Sequence, residues 1–404
     1  MRLTILDVAE WFGETSGGIR TYLLAKSAYV RRHEELRHVL VLPGSRDEVQ
    51  EAGGVTIYRL RGPRIPFRDQ YRFLLATRSL GWIIKAEQPD IIEVGSMLLA
   101  PWSVALAASG RRIPRIGFYH ENIERRFAYP GGGAPAWREL TRGPLRWYLR
   151  RVDRLFDARI AASDTLCDDL ENAGLTNVIR VPLGVDTSFF HPSRRRHASA
   201  TRALLGVPID GPLVAYLGRL APEKELPLLL RAWPEIQETS NATLLVVGDG
   251  PLASAARRLK QEYRVHVHPF QEDRATVADT LAAADLVVTP GSIETFGLAQ
   301  LEAMASGTPV VAPQTGGAGE LILRSHGGRR FEPGNPRSLA RTVTDLLSNA
   351  ELRRQLGCAG RSFAQRDHSW DRVFETLFAV YAEISSRWGV PRLERRVVFD
   401  GNDV

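Results

Sequence analysis

Two glutamates eight positions apart, Glu294 and Glu302, bracket the start of a predicted helix that follows a strand-like run. Phe296, Gly297 and Leu298 lie where the first helical N–H groups have no partner inside the helix, and such a helix start attracts phosphate. The two carboxylates can accept hydrogen bonds from sugar hydroxyls. This pattern indicates a nucleotide-sugar site, with the diphosphate at the helix start, Glu294 toward the sugar and Glu302 toward the ribose. On spacing alone, an acidic cap and one solvated glutamate explain it equally well.

A second segment, residues 214–226, supplies positive charge. Its apolar strand ends at Gly218, and Arg219 and Lys224 follow in the loop before a helical run. A guanidinium can bind a pyrophosphate through its planar fork, and a lysine ammonium can bind it as a point charge. Cations in loops are common, so this segment by itself is weak evidence.

Together the two segments resemble the retaining glycosyltransferases of family 4, which have the GT-B fold. The family's Glu-x7-Glu motif corresponds to Glu294 and Glu302, and its Gly-Arg and Lys element to Gly218, Arg219 and Lys224. Further matches follow in the family's order: Gly17-Gly18-Ile19, His120, residues 182–189 and Gly248-Asp249-Gly250-Pro251. The resemblance implies an α/β protein with two Rossmann-like doubly wound domains facing each other across a cleft.

The resemblance also implies roles for the matched residues. His120, Arg219, Lys224 and Glu294 would be catalytic, with His120 contacting the donor sugar. The donor nucleotide would be held at Gly17, Gly18, Gly218, Gly248, Asp249, Gly250, Pro269, Phe270, Phe296, Gly297, Leu298 and Glu302. From sequence alone, turn glycines and a lone histidine are as readily structural, and Phe270 is as readily a core residue.

The segment after His120 is polar and then basic. Glu121, Asn122, Arg125 and Arg126 are candidates for acceptor contact, and Glu121 is a candidate general base. The resemblance implies a retaining transfer, in which the nucleoside diphosphate leaves the anomeric carbon and an acceptor hydroxyl attacks from the same face. Cations and helix N–H groups can stabilise the diphosphate, so we expect no metal and no cofactor beyond the nucleotide-sugar donor.

The donor itself is less clear. The N-terminal half resembles mannosyltransferases that use GDP-mannose and the related sulfoquinovosyl and glucosyl lipid synthases, which favours a mannose donor and a lipid or glycan hydroxyl acceptor. A UDP-sugar donor stays open, with glucosyl, galactosyl, N-acetylglucosaminyl or sulfoquinovosyl transfer. Two other classes also stay open, a GT-B-type nucleotide-sugar epimerase and a non-catalytic sugar-nucleotide-binding module. One residue departs from the family: Glu225 replaces the usual glycine after the lysine, so we expect a different loop geometry there.

Composition limits the remaining classes. The 404 residues allow two or more domains, and 44% hydrophobic with 25% charged residues is usual for a globular enzyme. No apolar stretch reaches about 18 residues, and Arg2 leads directly into a strand, so we expect neither a membrane-spanning helix nor a signal peptide. Cys167 and Cys358 fit no disulfide framework, which favours a reducing, cytoplasmic setting.

The net charge of +7 comes mostly from clustered arginines. In residues 138–154, arginines alternate with tryptophan, tyrosine and leucine. Such a segment predicts peripheral contact with an anionic membrane at the inner face of the cell, or with an anionic acceptor. A solvated charged helix face is the simpler alternative. Nothing in the chain resembles a nucleic-acid-binding module, so we expect no nucleic-acid partner.

Strand-like and helix-like runs alternate along the chain, as in parallel α/β proteins. We predict a first domain over residues 1–183, which binds the acceptor, and a second over 184–370, which binds the donor. Residues 182–202 are rich in proline, glycine and arginine and predict a linker. In the resembled fold, the amphipathic helix of the last segment, 371–404, crosses back to the first domain.

Overall fold

A computed structural model describes residues 2–13, 17–65, 68–128, 135–259 and 263–387. The strands are β1 (Leu3–Val8), β2 (Leu36–Gly44), β3 (Glu48–Ala52), β4 (Val55–Arg61), β5 (Arg64–Ile65), β6 (Arg68–Arg72), β7 (Ile91–Val94), β8 (Arg115–Tyr119), β9 (Ala158–Ala161), β10 (Val178–Arg180), β11 (Leu213–Leu217), β12 (Thr243–Val247), β13 (Val265–His268), β14 (Leu286–Val288), β15 (Val310–Pro313) and β16 (Gly328–Phe331). The helices are α1 (Gly18–Val30), α2 (Thr77–Glu87), α3 (Ala100–Ala107), α4 (Ile123–Ala128), α5 (Pro135–Asp153), α6 (Asp164–Asn172), α7 (Ala198–Leu204), α8 (Leu226–Ser240), α9 (Ala253–Leu259), α10 (Arg274–Ala283), α11 (Leu298–Ala305), α12 (Gly316–Ser325), α13 (Pro336–Leu347), α14 (Ala350–Asp367) and α15 (Trp370–Arg387).

The first half of the chain builds an eight-stranded sheet in the order β10-β9-β8-β7-β1-β2-β4-β3. All neighbours pair in parallel except β3 with β4. The parallel strands are apolar runs buried on both faces, as such sheets require. The sequence did not predict β3 or the β5–β6 hairpin, because β3 is polar and exposed and carries no apolar pattern.

The second half builds a six-stranded parallel sheet in the order β13-β12-β11-β14-β15-β16. The direction of winding reverses between β1 and β7 in the first sheet and between β11 and β14 in the second. In open α/β sheets, ligands bind outside the carboxyl ends of the strands at this reversal. The predicted pair of doubly wound domains is confirmed. The two reversals predict that a ligand site lies at the carboxyl ends of β1 and β7 and of β11 and β14.

The predicted linker differs from the structure. Residues Pro192–His197 form a 3-10 helix that leads into α7. Arg194 pairs with Asp279 at 2.7 Å, while Arg195 and Arg202 pair with Asp285 at 2.6 and 3.2 Å. The basic run is therefore fastened to the second domain, because its arginines find acidic partners about 85 to 90 positions further along.

The last described helix, α15, returns to the first domain and packs on α1. At the crossing, the Val185 N–H donates to the His368 carbonyl at 2.8 Å, and Trp370 covers Gly184. The two chain segments that join the domains therefore run side by side. Residues 388–404 of the predicted last segment lie outside the described residues.

Beneath the first sheet's reversal lies a buried charged cluster that the sequence did not reveal. Lys26 Nζ lies 2.9 Å from Asp7, 3.1 Å from Glu93 and 2.9 Å from the Tyr381 hydroxyl, all in the interior. His38 Nε2 lies 2.6 Å from Asp7. Burial raises the pKa of Glu93 to about 7, even though Lys26 opposes it. Because Tyr381 belongs to α15, this cluster joins the two ends of the chain.

Candidate active site

The reversal of the second sheet brings together two residues that lie 70 positions apart. Lys224 follows β11, Glu294 follows β14, and their side chains form an ion pair that is only partly exposed. Arg219 lies in the same loop, 55% exposed, with Nη2 2.8 Å from Glu223. The structure therefore places Lys224 and Glu294 side by side and leaves the Arg219 guanidinium open to solvent.

The loops after β11 and β12 are packed backbone on backbone. A Cβ on Gly248 would lie 2.0 Å from the carbonyl oxygen of Gly218, and one on Gly250 would lie 2.5 Å from that of Leu220. The Leu220 N–H donates to the Asp249 carbonyl at 2.8 Å. These glycines are needed first for loop-to-loop packing, whatever ligand the loops hold.

The loop that carries Glu294 also packs backbone on backbone, against the start of α12. The Gly317 N–H donates to the Glu294 carbonyl at 2.7 Å, and a Cβ on Gly316 would lie 2.9 Å from that oxygen. Gly291 faces the lysine loop, where an added Cβ would lie 3.2 Å from the Cα of Lys224. The carboxylate of Glu294 therefore extends from a loop with little freedom to move.

Glu225 joins the two loops. It adopts a left-handed conformation with φ of 52°, a region that glycine occupies freely. The glutamate therefore occupies a backbone conformation that suits glycine. The Glu225 carboxylate accepts hydrogen bonds from the Ser292 hydroxyl and, at 3.3 Å, from the Ser292 N–H. These contacts can offset the strain of a side chain in this conformation.

Helix α11 begins at Leu298, and Gly297 is its N-cap with φ of 104°. Its first turn carries no acidic residue that would neutralise the helix dipole. The Phe296 side chain is buried in the core, so only its backbone can reach a ligand. Glu302 lies inside the helix, partly buried, and burial raises its pKa to about 7. The anion site predicted at this helix start is geometrically available.

The strand ends at the far side of the second sheet carry the remaining nucleotide candidates. The Phe270 N–H donates to the Asp249 carboxylate at 3.0 Å, which links the loops after β12 and β13. Phe270 is 43% exposed and Pro269 is also exposed. Phe270 is therefore not a core residue, and its ring is accessible to a base.

Across the cleft, His120 ends β8. Its ring stacks on Phe118 with centroids 4.1 Å apart and lies 5.4 Å from the ring of Tyr22. Burial and the nearby Lys26 ammonium lower the pKa of His120 to about 3, so the imidazole is neutral. The His120 carbonyl accepts a hydrogen bond from Thr295 Oγ1 at 3.0 Å. His120 thus faces the residue next to Glu294.

Gly17 and Gly18 form the start of α1. A Cβ at either position would meet nothing within 4 Å, so no packing demand explains them. Residues 14–16 before them lie outside the described residues. Open space at a helix start is compatible with the predicted approach of a diphosphate.

The four acceptor candidates separate into two pairs. Asn122 and Arg125 both donate to Asp169 on α6, at 2.9 and 2.6 Å, which gives each a partner within the first domain, and their contact with an acceptor stays a prediction. Arg126 instead pairs with Glu121. The sequence could not separate them, because Asp169 lies more than 40 positions away.

Several contacts across the cleft were not predicted. Ser163 Oγ donates to the Thr295 carbonyl at 2.6 Å. The Glu320 carboxylate on α12 accepts the N–H groups of Asp164 and Thr165 at 3.0 and 2.9 Å, and so caps α6 of the other domain. The two domains therefore meet in a closed arrangement beside His120 and Glu294.

Within the described ranges, no helix is long and apolar enough to cross a bilayer. The same residues contain no group of three or more histidine, cysteine, aspartate or glutamate side chains placed to hold a metal ion.

Two facing doubly wound domains, with a lysine–glutamate pair at a free helix start, define a GT-B glycosyltransferase. Residues 16–189 match the family model Glycosyltransferase Family 4, and residues 200–363 match Glycosyl transferases group 1. The chain belongs to these glycosyltransferases, which confirms the family inferred from its motifs.

Its relatives narrow the comparison. It is 29% identical over 397 residues to the GDP-mannose-dependent alpha-(1-6)-phosphatidylinositol dimannoside mannosyltransferase of Mycobacterium tuberculosis, covering 96% of this chain and 98% of that protein. A GDP-mannose-dependent alpha-mannosyltransferase of Corynebacterium glutamicum is 26% identical over 390 residues, covering 95% and 89%. The sulfoquinovosyl transferase of Arabidopsis thaliana is 29% identical over 293 residues, covering 70% and 54%.

Solved structures agree on the fold. The sucrose-phosphate synthase from Thermosynechococcus elongatus superposes with a TM-score of 0.78 at 20% identity, covering 96% of this chain and 100% of that one. The Anabaena protein HepE, solved with UDP and glucose, gives a TM-score of 0.72 at 20% identity, covering 94% and 99%.

Proposed function

We propose that this glycosyltransferase is a retaining, metal-independent mannosyltransferase that moves mannose from GDP-mannose to a hydroxyl of a lipid or glycan. The observation that carries the proposal is the Lys224–Glu294 pair at the free start of α11, opposite the His120 carbonyl. The mannose donor is supported by the relatives that match over almost their whole length, which are named as GDP-mannose-dependent enzymes.

In the proposed reaction, the bond between the anomeric carbon and the diphosphate oxygen breaks, and its electron pair stays on the diphosphate. The Lys224 ammonium, the Arg219 guanidinium and the N–H groups at the start of α11 would stabilise that charge, a task for which these residues need no metal. The acceptor oxygen attacks the same face, and the departing diphosphate oxygen is the nearest group to receive its proton. The closed cleft would limit attack by water.

The donor hydroxyls and ribose would be held by the two glutamates. Glu294, which is ion-paired with Lys224, would accept hydrogen bonds from the sugar, and Glu302 from the ribose. The exposed Phe270 ring would lie against the base. An epimerase or a non-catalytic module would use the same residues, so only detection of a glycoside product separates the three functions.

The test is transfer of radiolabelled mannose from GDP-mannose to a lipid extract, in buffer with excess EDTA. Lys224→Ala should lower kcat about a hundredfold to a thousandfold, which corresponds to about 2.7–4 kcal/mol of barrier. Lys85→Ala, on the exposed surface of α2, is the matched control. A folded Lys224→Ala variant with full activity would overturn the phosphate assignment.

Donor choice is tested by thermal stabilisation with GDP-mannose, UDP-glucose, UDP-galactose and UDP-N-acetylglucosamine. A ligand at about 100 times its Kd adds roughly 2.7 kcal/mol of stability. Stabilisation by GDP-mannose alone supports the proposal, whereas a response only to UDP-sugars would replace mannose by another hexose. Activity that disappears in EDTA and returns with Mg²⁺ would refute metal independence.

We also propose that one side of the first domain contacts an anionic membrane. Trp82 on α2, Leu106 on α3 and Trp147 on α5 are all more than 60% exposed, and these helices cover the same face of the sheet. The Arg151 guanidinium lies over the Trp147 ring at 5.0 Å. Side chains of residues 138–142, the start of the predicted basic segment, lie outside the described set.

Such a mix of exposed aromatic and basic side chains suits the headgroup region of a bilayer and would place the enzyme peripherally at the inner face of the cell membrane. Co-sedimentation with vesicles containing anionic lipid at low salt is the test. Trp82→Ala combined with Trp147→Ala should reduce binding, whereas equal binding to neutral vesicles would contradict an electrostatic component.

A further inference from the structure

An aromatic pair lies at the carboxyl end of β1, on the acceptor side of the cleft. The rings of Trp11 and Tyr71 meet edge to face, with centroids 5.1 Å apart and an interplanar angle of 78°. Both side chains remain partly exposed. Trp11 follows β1 by three residues, and Tyr71 belongs to β6. The pair therefore stands at the edge of the first sheet where ligands bind in this architecture.

A buried carboxylate holds this region in place. Glu10, next to Trp11, is 1% exposed, and its side chain accepts hydrogen bonds from Ser96 Oγ at 2.6 Å and from the Leu74 N–H at 3.5 Å. It thereby connects the segments that follow β1, β6 and β7. Burial raises the pKa of Glu10. A buried carboxylate is costly unless it is hydrogen-bonded, so its use here indicates a fixed platform beneath the aromatic pair.

A charged pair lies within electrostatic range of Tyr71. Arg126 forms an ion pair with Glu121. Burial disfavours the charged form of Arg126, but Glu121, Glu223 and Tyr71 act in the other direction, and its pKa lies above the usual value. Since Glu223 belongs to the second domain, Arg126 lies where the cleft closes, within electrostatic range of Tyr71.

The spacing to the reaction centre suits one sugar ring. Strands β1, β7 and β8 are consecutive neighbours, and parallel strands lie about 4.8 Å apart. The residues that leave β1 and β8 are therefore roughly 10 Å apart, with Trp11 at one side and His120 at the other. A hexopyranose is about half that width, so a ring beside Trp11 can present a hydroxyl toward His120.

We propose that the partly exposed rings of Trp11 and Tyr71 form a subsite for a pyranose ring of the acceptor, with the Glu121–Arg126 pair on the same side of the cleft. This rests on the proposed function, since it names the acceptor's chemistry at that same cleft. Aromatic rings cover the apolar C–H face of a sugar, and the neighbouring carboxylate and guanidinium can hydrogen-bond its hydroxyls. An acyl chain would place its methylenes against that charged pair, so the surroundings favour a sugar over a lipid tail.

The experiment uses saturation-transfer NMR with the full-length protein and two probes, methyl α-D-mannopyranoside and octyl α-D-mannopyranoside, each with GDP present. Wild type should transfer saturation to the ring protons of both probes. Trp11→Ala should weaken this binding roughly threefold to tenfold, the scale of one aromatic contact. Trp11→Phe should restore part of it, and Leu204→Ala, an exposed residue of α7 on the second domain, should leave it unchanged.

Three results would overturn the subsite: no transfer to the ring protons in wild type, transfer confined to the octyl protons, or equal loss in Leu204→Ala. Tyr71→Leu provides an independent variant if Trp11→Ala does not fold. Thermal stabilisation by GDP-mannose, measured on the same samples, reports the donor site alone. Its failure would refute the proposed donor, whereas its survival with loss of mannoside contact in Trp11→Ala identifies the acceptor subsite.

Discussion

The two sides of the cleft hold their functional residues by different means. On the second-domain side, which is the proposed donor side, backbone packs directly on backbone, as where Gly248 meets the Gly218 carbonyl and Gly317 meets the Glu294 loop. On the first-domain side, which is the proposed acceptor side, buried side chains support the structure: Lys26 and its carboxylates lie near His120, and the buried Glu10 precedes Trp11.

This difference corresponds to what each side is proposed to bind. A diphosphate is the same in every nucleotide-sugar, and a rigid backbone surface can present N–H groups to it at fixed positions. An acceptor varies between enzymes, and a surface held by side chains can change by substitution without rebuilding the loops. Substitutions that add atoms to the glycine loops should therefore destabilise the donor side, and substitutions that remove a buried charge should destabilise the acceptor side.

The largest effect is expected where a charge is lost from the acceptor-side interior. Lys26→Met leaves Asp7 and Glu93 buried without their ammonium partner, and breaking a buried ion pair in this way costs about 3–5 kcal/mol. Chemical denaturation should show this loss in the free energy of unfolding. Lys85→Met, on the exposed face of α2, is the control and should change it by less than about 0.5 kcal/mol. Equal free energies of unfolding in the two variants would show that the Lys26 cluster does not stabilise the first domain.

Adding a single methyl group should affect stability differently on the two sides of the cleft. Gly248→Ala places a Cβ 2.0 Å from a carbonyl oxygen at φ of 149°, and such strain costs about 1–3 kcal/mol. Gly18→Ala meets no atom within 4 Å and lies in a helix, where alanine is favoured by about 0.5–1 kcal/mol. We expect Gly248→Ala to lose stability and GDP-mannose affinity together. Gly18→Ala should keep stability while losing affinity, and full affinity there would remove Gly18 from the donor site.

Loss of the hydrogen bond between Glu225 and Ser292, which links the two loops, should have a smaller effect on turnover. Glu225→Gly removes the left-handed strain but also the acceptor for Ser292, so stability should hold while kcat falls about fivefold, the scale of one hydrogen bond. Glu225→Ala keeps the strain and loses the bond, and should also lose about 1 kcal/mol of stability. Wild-type turnover in Glu225→Gly, measured by mannose transfer, would show that the loops need no side-chain link.

An effect of similar size concerns pH. The pKa of Glu302 is raised to about 7, so the carboxyl is mostly protonated at pH 6 and ionised at pH 8. The ionised form is the stronger acceptor for a ribose hydroxyl, and GDP-mannose should bind about fivefold more tightly at pH 8. The unfolded chain releases this proton near 4.5, so the same group lowers the free energy of unfolding as pH rises through 7. Glu302→Gln should flatten both dependences in calorimetry and denaturation.

The strand and helix start of the proposed donor side were predicted from sequence because their signals are local. Glu294, Gly297 and Glu302 lie within one short segment, and the apolar strands on either side show as continuous hydrophobic runs. The family resemblance rests on the same segments. Glu225 was the exception, because the sequence shows a lost glycine but not the Ser292 hydrogen bond that accompanies it.

The contacts that support the proposed acceptor side were not predicted, because they join distant positions. Lys26 appears in the sequence as an ordinary charged helix residue, and only the structure shows Asp7, Glu93 and Tyr381 around it. The sequence also did not show that Asn122 and Arg125 share Asp169 as a hydrogen-bond partner. No spacing rule connects such residues, since the sheet order alone brings them together.

The return of α15 to the first domain has a consequence for synthesis on the ribosome. Tyr381 completes the hydrogen bonds of Lys26 and Glu93, so the core of the first domain is unfinished until the final stretch of the chain has emerged. The second domain contains its own complete sheet and can finish earlier. The first domain is therefore made before the second but completed after it, and a chain cut short before α15 would leave the apolar core that Phe374 and Leu377 cover open to a chaperone.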